Sequence, residues 1–182
     1  PVPLKIAINL SEPRVDIDPE VRAAVVTAGE LLESLGHSVE EAAPGINYDR
    51  LNEVQNTLIA SSTTSWLNKV SQDRGYPIAP EELEPMTHMI RREGAKVSGA
   101  EVSSALQMMQ QFGLEMAKFH NDFDLVLQPV AATPAPKLAA ITYQEGDDLE
   151  SYTKRFKAVS AFTHLYNICL LYTSDAADDT PC

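Results

Sequence analysis

The sequence predicts an α/β fold, and three observations carry that prediction. Residues 4–41 alternate strand, helix and strand patterns; residues 48–74 and 98–119 are long and apolar at helical spacing; and a short apolar run at 124–127 breaks abruptly into a proline-rich loop. Strands alternating with helices of this length point to a sheet covered by helices. With 182 residues, 44% of them hydrophobic, the chain is long enough for one domain with a sizeable core.

Residues 4–10, Leu-Lys-Ile-Ala-Ile-Asn-Leu, read as the first strand. Asp18 is placed to cap the helix that follows, Pro19 occupies its first position and Glu20 faces the positive end of its dipole. Val21, Ala24, Val25, Ala28, Leu31, Leu32 and Leu35 recur at helical spacing as one apolar stripe expected to pack on a sheet, and Gly36 is placed to end the helix. Residues 37–41 supply a second short strand, completing a βαβ-like unit. The connecting loop at 11–18 contains no glycine, so its backbone cannot cradle a pyrophosphate as a dinucleotide-binding or P-loop turn does.

A long helix is expected over 48–74, with Leu51, Val54, Leu58, Ile59, Trp66, Leu67 and Val70 as its apolar positions. Its centre, Ala60-Ser-Ser-Thr-Thr-Ser65, is a hydroxyl cluster, and Lys69 follows Ser65 by four residues on the same face, the spacing a Ser–Lys nucleophile pair would use. With no oxyanion donors in view, the cluster reads instead as a partly buried helix surface carrying small polar residues. Residues 80–94 read as a helical approach and a helix ended at Gly94. Within it His88 with Glu84 or Glu93 could be called an acid–base pair, but surface charge is the better account. Ser98 and Glu101 form a capping box. The helix behind it carries Val102, Ala105, Leu106, Met109, Phe112, Met116 and Phe119 on one face, with Met108, Met109 and Met116 as core filler rather than a cofactor or metal site.

The run at 124–127 is too short for a helix, and Pro129, Pro134 and Pro136 cannot donate to a sheet ladder, so a buried strand is expected to stop near Gln128. In open α/β sheets ligands sit beyond the carboxyl ends of the strands. A stiff loop of small residues there makes a pocket wall, with Pro129, Ala132 and Thr133 as candidate substrate-binding residues. The alternative is an ordinary strand exit capped by prolines. After an acidic turn at 145–148, residues 149–168 read as one helix bearing Tyr152, Phe156, Val159, Phe162, Leu165 and Tyr166.

A net charge of −12 opposes binding to nucleic acid or to an anionic membrane. No run of 18 apolar residues is present to span a bilayer. Pro1-Val-Pro-Leu has neither an initiator Met nor a signal-peptide pattern, so the chain reads as an internal piece of a longer one. Cys169 and Cys182 offer no disulfide framework and no metal-ligand spacing, no cofactor motif is present, and the cysteine-free body fits a reducing cytoplasm.

Several words of the sequence, in order, resemble the amidase signature family. They are Leu4-Lys-Ile-Ala-Ile8, Asp18-Pro-Glu-Val-Arg-Ala-Ala24, Leu31-Leu-Glu-Ser-Leu-Gly-His-Ser-Val39, Leu83-Glu-Pro-Met-Thr87, the strand at 124–127 with its proline loop, and Phe162-Thr-His-Leu-Tyr-Asn167. The resemblance implies the C-terminal portion, residues 1–168, of an α/β/α sandwich in which helices flank a mixed sheet. It also implies hydrolysis of C–N bonds of small linear or cyclic amides, without a cofactor. The family's nucleophilic Ser, second Ser and Lys base all lie upstream of residue 1, so no catalytic residue carries over. Ser61-Ser-Thr-Thr-Ser-Trp66 departs from the tRNA-dependent amidotransferase pattern, and the chain looks closer to general bacterial amidases and 6-aminohexanoate cyclic dimer hydrolases. The partners expected are a small-molecule amide and a second copy in a homodimer, with neither nucleic acid nor membrane. The family pattern fails at residues 169–182, which resemble a translated sequencing adapter and are expected to be a non-native or disordered tail. A stand-alone α/β binding module without chemistry is the rival reading.

Overall fold

The computed structural model of the chain describes residues 2–169. Its centre is β1 (Lys5–Ile8), where Ile6 and Ala7 are 2% and 0% exposed. β1 is flanked by β2 (Ser38–Glu41) and β3 (Leu125–Leu127) in the order β2-β1-β3, and both pairings are parallel, Ile6 standing opposite Val39 on one side and Leu125 on the other. The mixed sheet implied by the family resemblance is represented among the described residues by this parallel part. β3 departs from expectation, because Leu125 is half exposed and the strand forms one edge of the described sheet rather than a buried member of it.

The crossover between β1 and β2 is α1 (Pro19–Ser34). Asp18 Oδ1 accepts the Glu20 amide at 2.8 Å, satisfying one of the orphan donors of the first turn. At the other end Gly36 takes φ 95°, and the amides of Gly36 and His37 return to the carbonyls of Glu33 and Leu32, a Schellman stop that needs a left-handed residue. The buried face is narrower than the expected stripe. It runs through Val25 and Gly29, while Leu31 and Leu35 are exposed. At Gly29 an added Cβ would stand 2.4 Å from Ile8 Cδ1, so the absence of a side chain lets Ile8 pack directly against the helix there.

The chain divides into two compact units. Among the described residues, one holds 2–48, Gln110–Pro136 and 157–169; the other holds Asp49–Met109 and Lys137–Phe156. The first contains the sheet, α1, the later part of α4 (Gly99–Phe119) and α7 (His164–Cys169). The second contains most of α2 (Tyr48–Arg74), a 3-10 turn at Pro80–Glu82, α3 (Pro85–Gly94), the start of α4, the short α5 (Leu138–Ile141) and most of α6 (Leu149–Ser160). Within it, the last turn of α3 lies against α2 so closely that a Cβ on Gly94 would sit 1.9 Å from the Ala60 carbonyl oxygen. The expected capping box opens α4, Glu101 N–H donating to Ser98 Oγ at 3.2 Å and Ser98 N–H to Glu101 Oε2 at 2.7 Å. The single helix expected at 149–168 is two, because α6 ends at Ser160 and α7 begins at His164. Cys169, the first residue of the expected tail, closes α7; residues 170–182, and with them the rest of that expectation, lie outside the described residues.

Candidate functional site at the carboxyl ends of the strands

Beyond Ile8 the backbone stays in the ladder for one more residue. Asn9 donates its amide to the Leu127 carbonyl at 2.9 Å, and its side chain is carried into the interior, the residue being 2% exposed. There every polar atom must find a partner, since an unpaired one costs about 1–3 kcal/mol. Asn9 Nδ2 donates to Gln128 Oε1 at 3.1 Å and Oδ1 accepts the Ser11 amide at 3.1 Å. Gln128 passes the network on, its Nε2 donating to the Phe162 carbonyl at 2.8 Å. The ends of β1 and β3 are thereby tied to the break between α6 and α7.

Three residues further along lies a buried ion pair. Arg14 Nε and Nη2 donate to Glu12 Oε1 and Oε2, both at 2.7 Å, and the two side chains are only 6% and 1% exposed. Pro13 between them fixes the turn, and the Arg14 amide donates to the same carboxylate at 3.0 Å. Arg14 Nη2 also donates to the Ala161 carbonyl at 3.2 Å, and its guanidinium lies 4.8 Å from the centre of the Tyr48 ring. Burial first, and the Glu12 carboxylate second, push the Tyr48 hydroxyl above its ordinary range. His164 is held below its ordinary value, chiefly by burial and then by the nearby Arg14 charge. Burial, with Tyr48 second, raises Tyr166 strongly. His164 Nδ1 and the Tyr166 hydroxyl are buried without a hydrogen-bond partner among the described residues. Burial likewise brings the Cys169 thiol up to about 11, so it is no nucleophile near neutral pH.

The proline loop is seated on this network, and its residues divide differently from expectation. Ala132 has no exposed surface; its N–H donates to the Ala158 carbonyl at 2.7 Å and its carbonyl accepts the Asp18 amide at 2.8 Å. It packs with Ala161 and Phe162, with Val15, Ile17 and Ala158 around them. Its methyl is a core group in this structure, closely packed among these residues. Pro129 is buried as well. Thr133 is half-buried, and Val130, Pro134 and Ala135 are exposed, so the loop turns these side chains outward, Thr133 being the polar one among them. The same contacts explain the helix break. The Ala158 carbonyl, which would receive the amide of residue 162 in a continuing helix, accepts from Ala132, and the carbonyls of Ala161 and Phe162 are turned to Arg14 and Gln128.

The hydroxyl cluster of α2 is structural. Lys69 Nζ is engaged by both oxygens of Asp73 at 3.0 and 3.1 Å, and Ser65 lies exposed without a base. Ser61 and Ser62 donate back to the carbonyls of Leu58 and Ile59, and Thr64 donates to Arg91 O at 3.1 Å, fastening α3 to α2. A shallow depression of about 530 Å³ lies beside Ser61, Ser62 and Ser65, walled by Leu58, Ile59 and Val102. His88 pairs with neither glutamate; its Nε2 lies 2.6 Å from the Pro80 carbonyl. No cluster of His, Cys, Asp and Glu able to hold a metal ion occurs among the described residues. Asn9, Glu12, Arg14, Tyr48 and Gln128 went unnoticed in the sequence. Their signal was an Asn ending an apolar strand and a Glu-Pro-Arg triplet just beyond it, where a parallel sheet places its ligands.

The parallel sheet and its covering helices define an α/β protein, and the Amidase family model matches residues 1–181; the chain belongs to that family. Among its relatives, the 6-aminohexanoate-cyclic-dimer hydrolase of Paenarthrobacter ureafaciens is 22% identical over 92% of this chain and 36% of its own length. The 2-amino-5-chloromuconic acid deaminase of Comamonas testosteroni is 27% identical over 86% of this chain and 32% of its own. The structure of 6-aminohexanoate cyclic dimer hydrolase complexed with substrate superposes with a TM-score of 0.82 at 20% identity, over 96% of this chain and 40% of that one. A bacterial aryl acylamidase of the amidase signature family superposes at 0.70 with 18% identity, over 91% and 35% of the two chains. This chain therefore spans about a third of the length of the relatives it matches.

Proposed function

We propose that this chain is the C-terminal, pocket-walling part of an enzyme that hydrolyses the C–N bond of a small linear or cyclic amide. The observation that carries the reading is the family match along residues 1–181, joined to a fully bonded polar network at the carboxyl ends of β1 and β3. The nucleophilic Ser, the second Ser and the Lys base belong to a part of the complete polypeptide outside these residues. The absence of a base at Ser65, whose neighbour Lys69 is held by Asp73, supports that assignment. The chain's own contribution is geometric. The 129–136 loop, fixed at Ala132 by two backbone hydrogen bonds, offers Thr133 as its polar side chain and Val130 as its apolar one. A wall held this stiffly keeps a bound amide in attack geometry at small entropic cost. Ala132 and Pro129 support the wall from within. The enzyme works without a cofactor, in the cytoplasm, as a homodimer.

The test is the complete reading frame, expressed and offered a cyclic dimer of 6-aminohexanoate, an aryl acylamide and a linear aliphatic amide. Release of amine from at least one, with Thr133→Val or Val130→Ala changing the kcat/KM ratio between two substrates by more than about fivefold, is the expected result. No release from any, or ratios unmoved within twofold, would leave the loop a plain strand exit. The chain of residues 1–182 alone is expected to release none.

A further inference from the structure

The geometry points to Arg14 as a positioning residue: gripped by Glu12, it holds the break between α6 and α7 in the shape on which the 129–136 loop is seated. The inference deepens the reading above and rests on it only for its catalytic consequence. A buried ion pair is a poor stability device, because desolvating two charges consumes most of what their attraction returns, and apolar residues of equal volume often serve as well. What such a pair supplies is direction. Arg14 has five donors in a planar fork. Nε and Nη2 meet the two Glu12 oxygens, a further hydrogen on Nη2 reaches the Ala161 carbonyl, and the plane lies against Tyr48.

Ala161 is the joint through which this direction is passed on. It is 1% exposed and packs on Ala132, whose amide is bonded to Ala158 three residues earlier in the same segment. Residues 158–162 are thus held by Arg14 at Ala161, by Gln128 at Phe162 and by Ala132 at Ala158. Releasing the Arg14 contact lets the break relax, and with it the seat of Ala132. A lysine keeps a charge opposite Glu12 but has no fork to reach Ala161 at the same time.

The experiment compares Arg14→Lys and the double variant Glu12→Gln/Arg14→Met, which leaves no lone buried charge, in the complete polypeptide. Hydrogen exchange is read at the Ala132 amide and, as controls, at Ser38 and Ala42, whose amides bond to the carbonyls of Leu4 and Ile8. At least tenfold faster exchange at Ala132, with the controls unmoved, is expected in both variants. Unchanged protection at Ala132 overturns the assignment. So does equal acceleration at all three positions, which would make the pair a global stabiliser. If the double variant does not fold, Arg14→Lys decides alone. In turnover, kcat/KM should fall at least fivefold, and mainly through kcat. A wild-type polypeptide without amidase activity would sink the proposed function while leaving the exchange result to stand by itself.

Discussion

Ala132 has no exposed surface and both of its backbone polar groups are bonded, so a phenylalanine there has no space to enter. Ala132→Phe is expected to cost roughly 3 kcal/mol, the upper part of the range for overpacking, whereas Thr133→Val, at a half-buried position outside the core, should stay within about 1 kcal/mol. Urea titration of the two variants separates a core position from a wall position. At His164 the consequence is a pH dependence. Burial lowers its pKa in the folded chain, so the unfolded chain binds the proton first as the pH falls below the ordinary imidazole value of about 6.5. The His164 contribution is whole above that value and is lost progressively beneath it. His164→Leu should flatten the decline of Tm between pH 7 and 5, and an unchanged slope would mean that the ring titrates alike in both states. Asp147 acts lower on the scale: Arg155, then the Gln144 amide, holds its carboxyl down at about 2, so its contribution is present above the ordinary carboxylate range and is lost as the pH drops toward 2.

Two glycines on helices show how much depends on what a neighbour is made of. At Gly94 an added Cβ would meet the Ala60 carbonyl oxygen at 1.9 Å and Thr64 Oγ1 at 2.2 Å, and a backbone oxygen cannot swing aside. Gly94→Ala should therefore cost at least about 2 kcal/mol by forcing α3 off α2. At Gly29 the obstacle is the tip of Ile8, a side chain with other rotamers, and alanine gains about 1 kcal/mol in helix propensity. The net change at Gly29→Ala should fall within about 1 kcal/mol, and thermal denaturation of the pair checks the contrast. Local signals served well wherever structure is local: the Asp18 cap, the Gly36 stop, the Ser98–Glu101 box and the extent of the 48–74 helix were all legible in the sequence. The break at 161–163 was not. Ala-Phe-Thr contains no helix breaker, and the interruption is fixed by donors as remote as Arg14, 147 residues away in the chain. The burial of Ala132 was illegible for a related reason, since a small residue in a loop fits a core as readily as a pocket.

At the scale of the whole molecule, the chain carries a sheet, a bonded network at the carboxyl ends of its strands and a stiff loop, and the lysine nearest its hydroxyl cluster, Lys69, is held by Asp73. Among those residues no helix is long and apolar enough to cross a membrane. Solved structures about two and a half times its length share its fold at 20% identity and below. The central claim, that these residues shape a pocket whose chemistry is supplied from outside them, is tested most directly by covalent labelling. The complete enzyme is treated with a serine-reactive fluorophosphonate, digested, and the modified residue located by mass spectrometry. The account predicts a single labelled serine outside residues 1–182, with labelling blocked by amide substrate. A label on Ser61, Ser62 or Ser65 would contradict it.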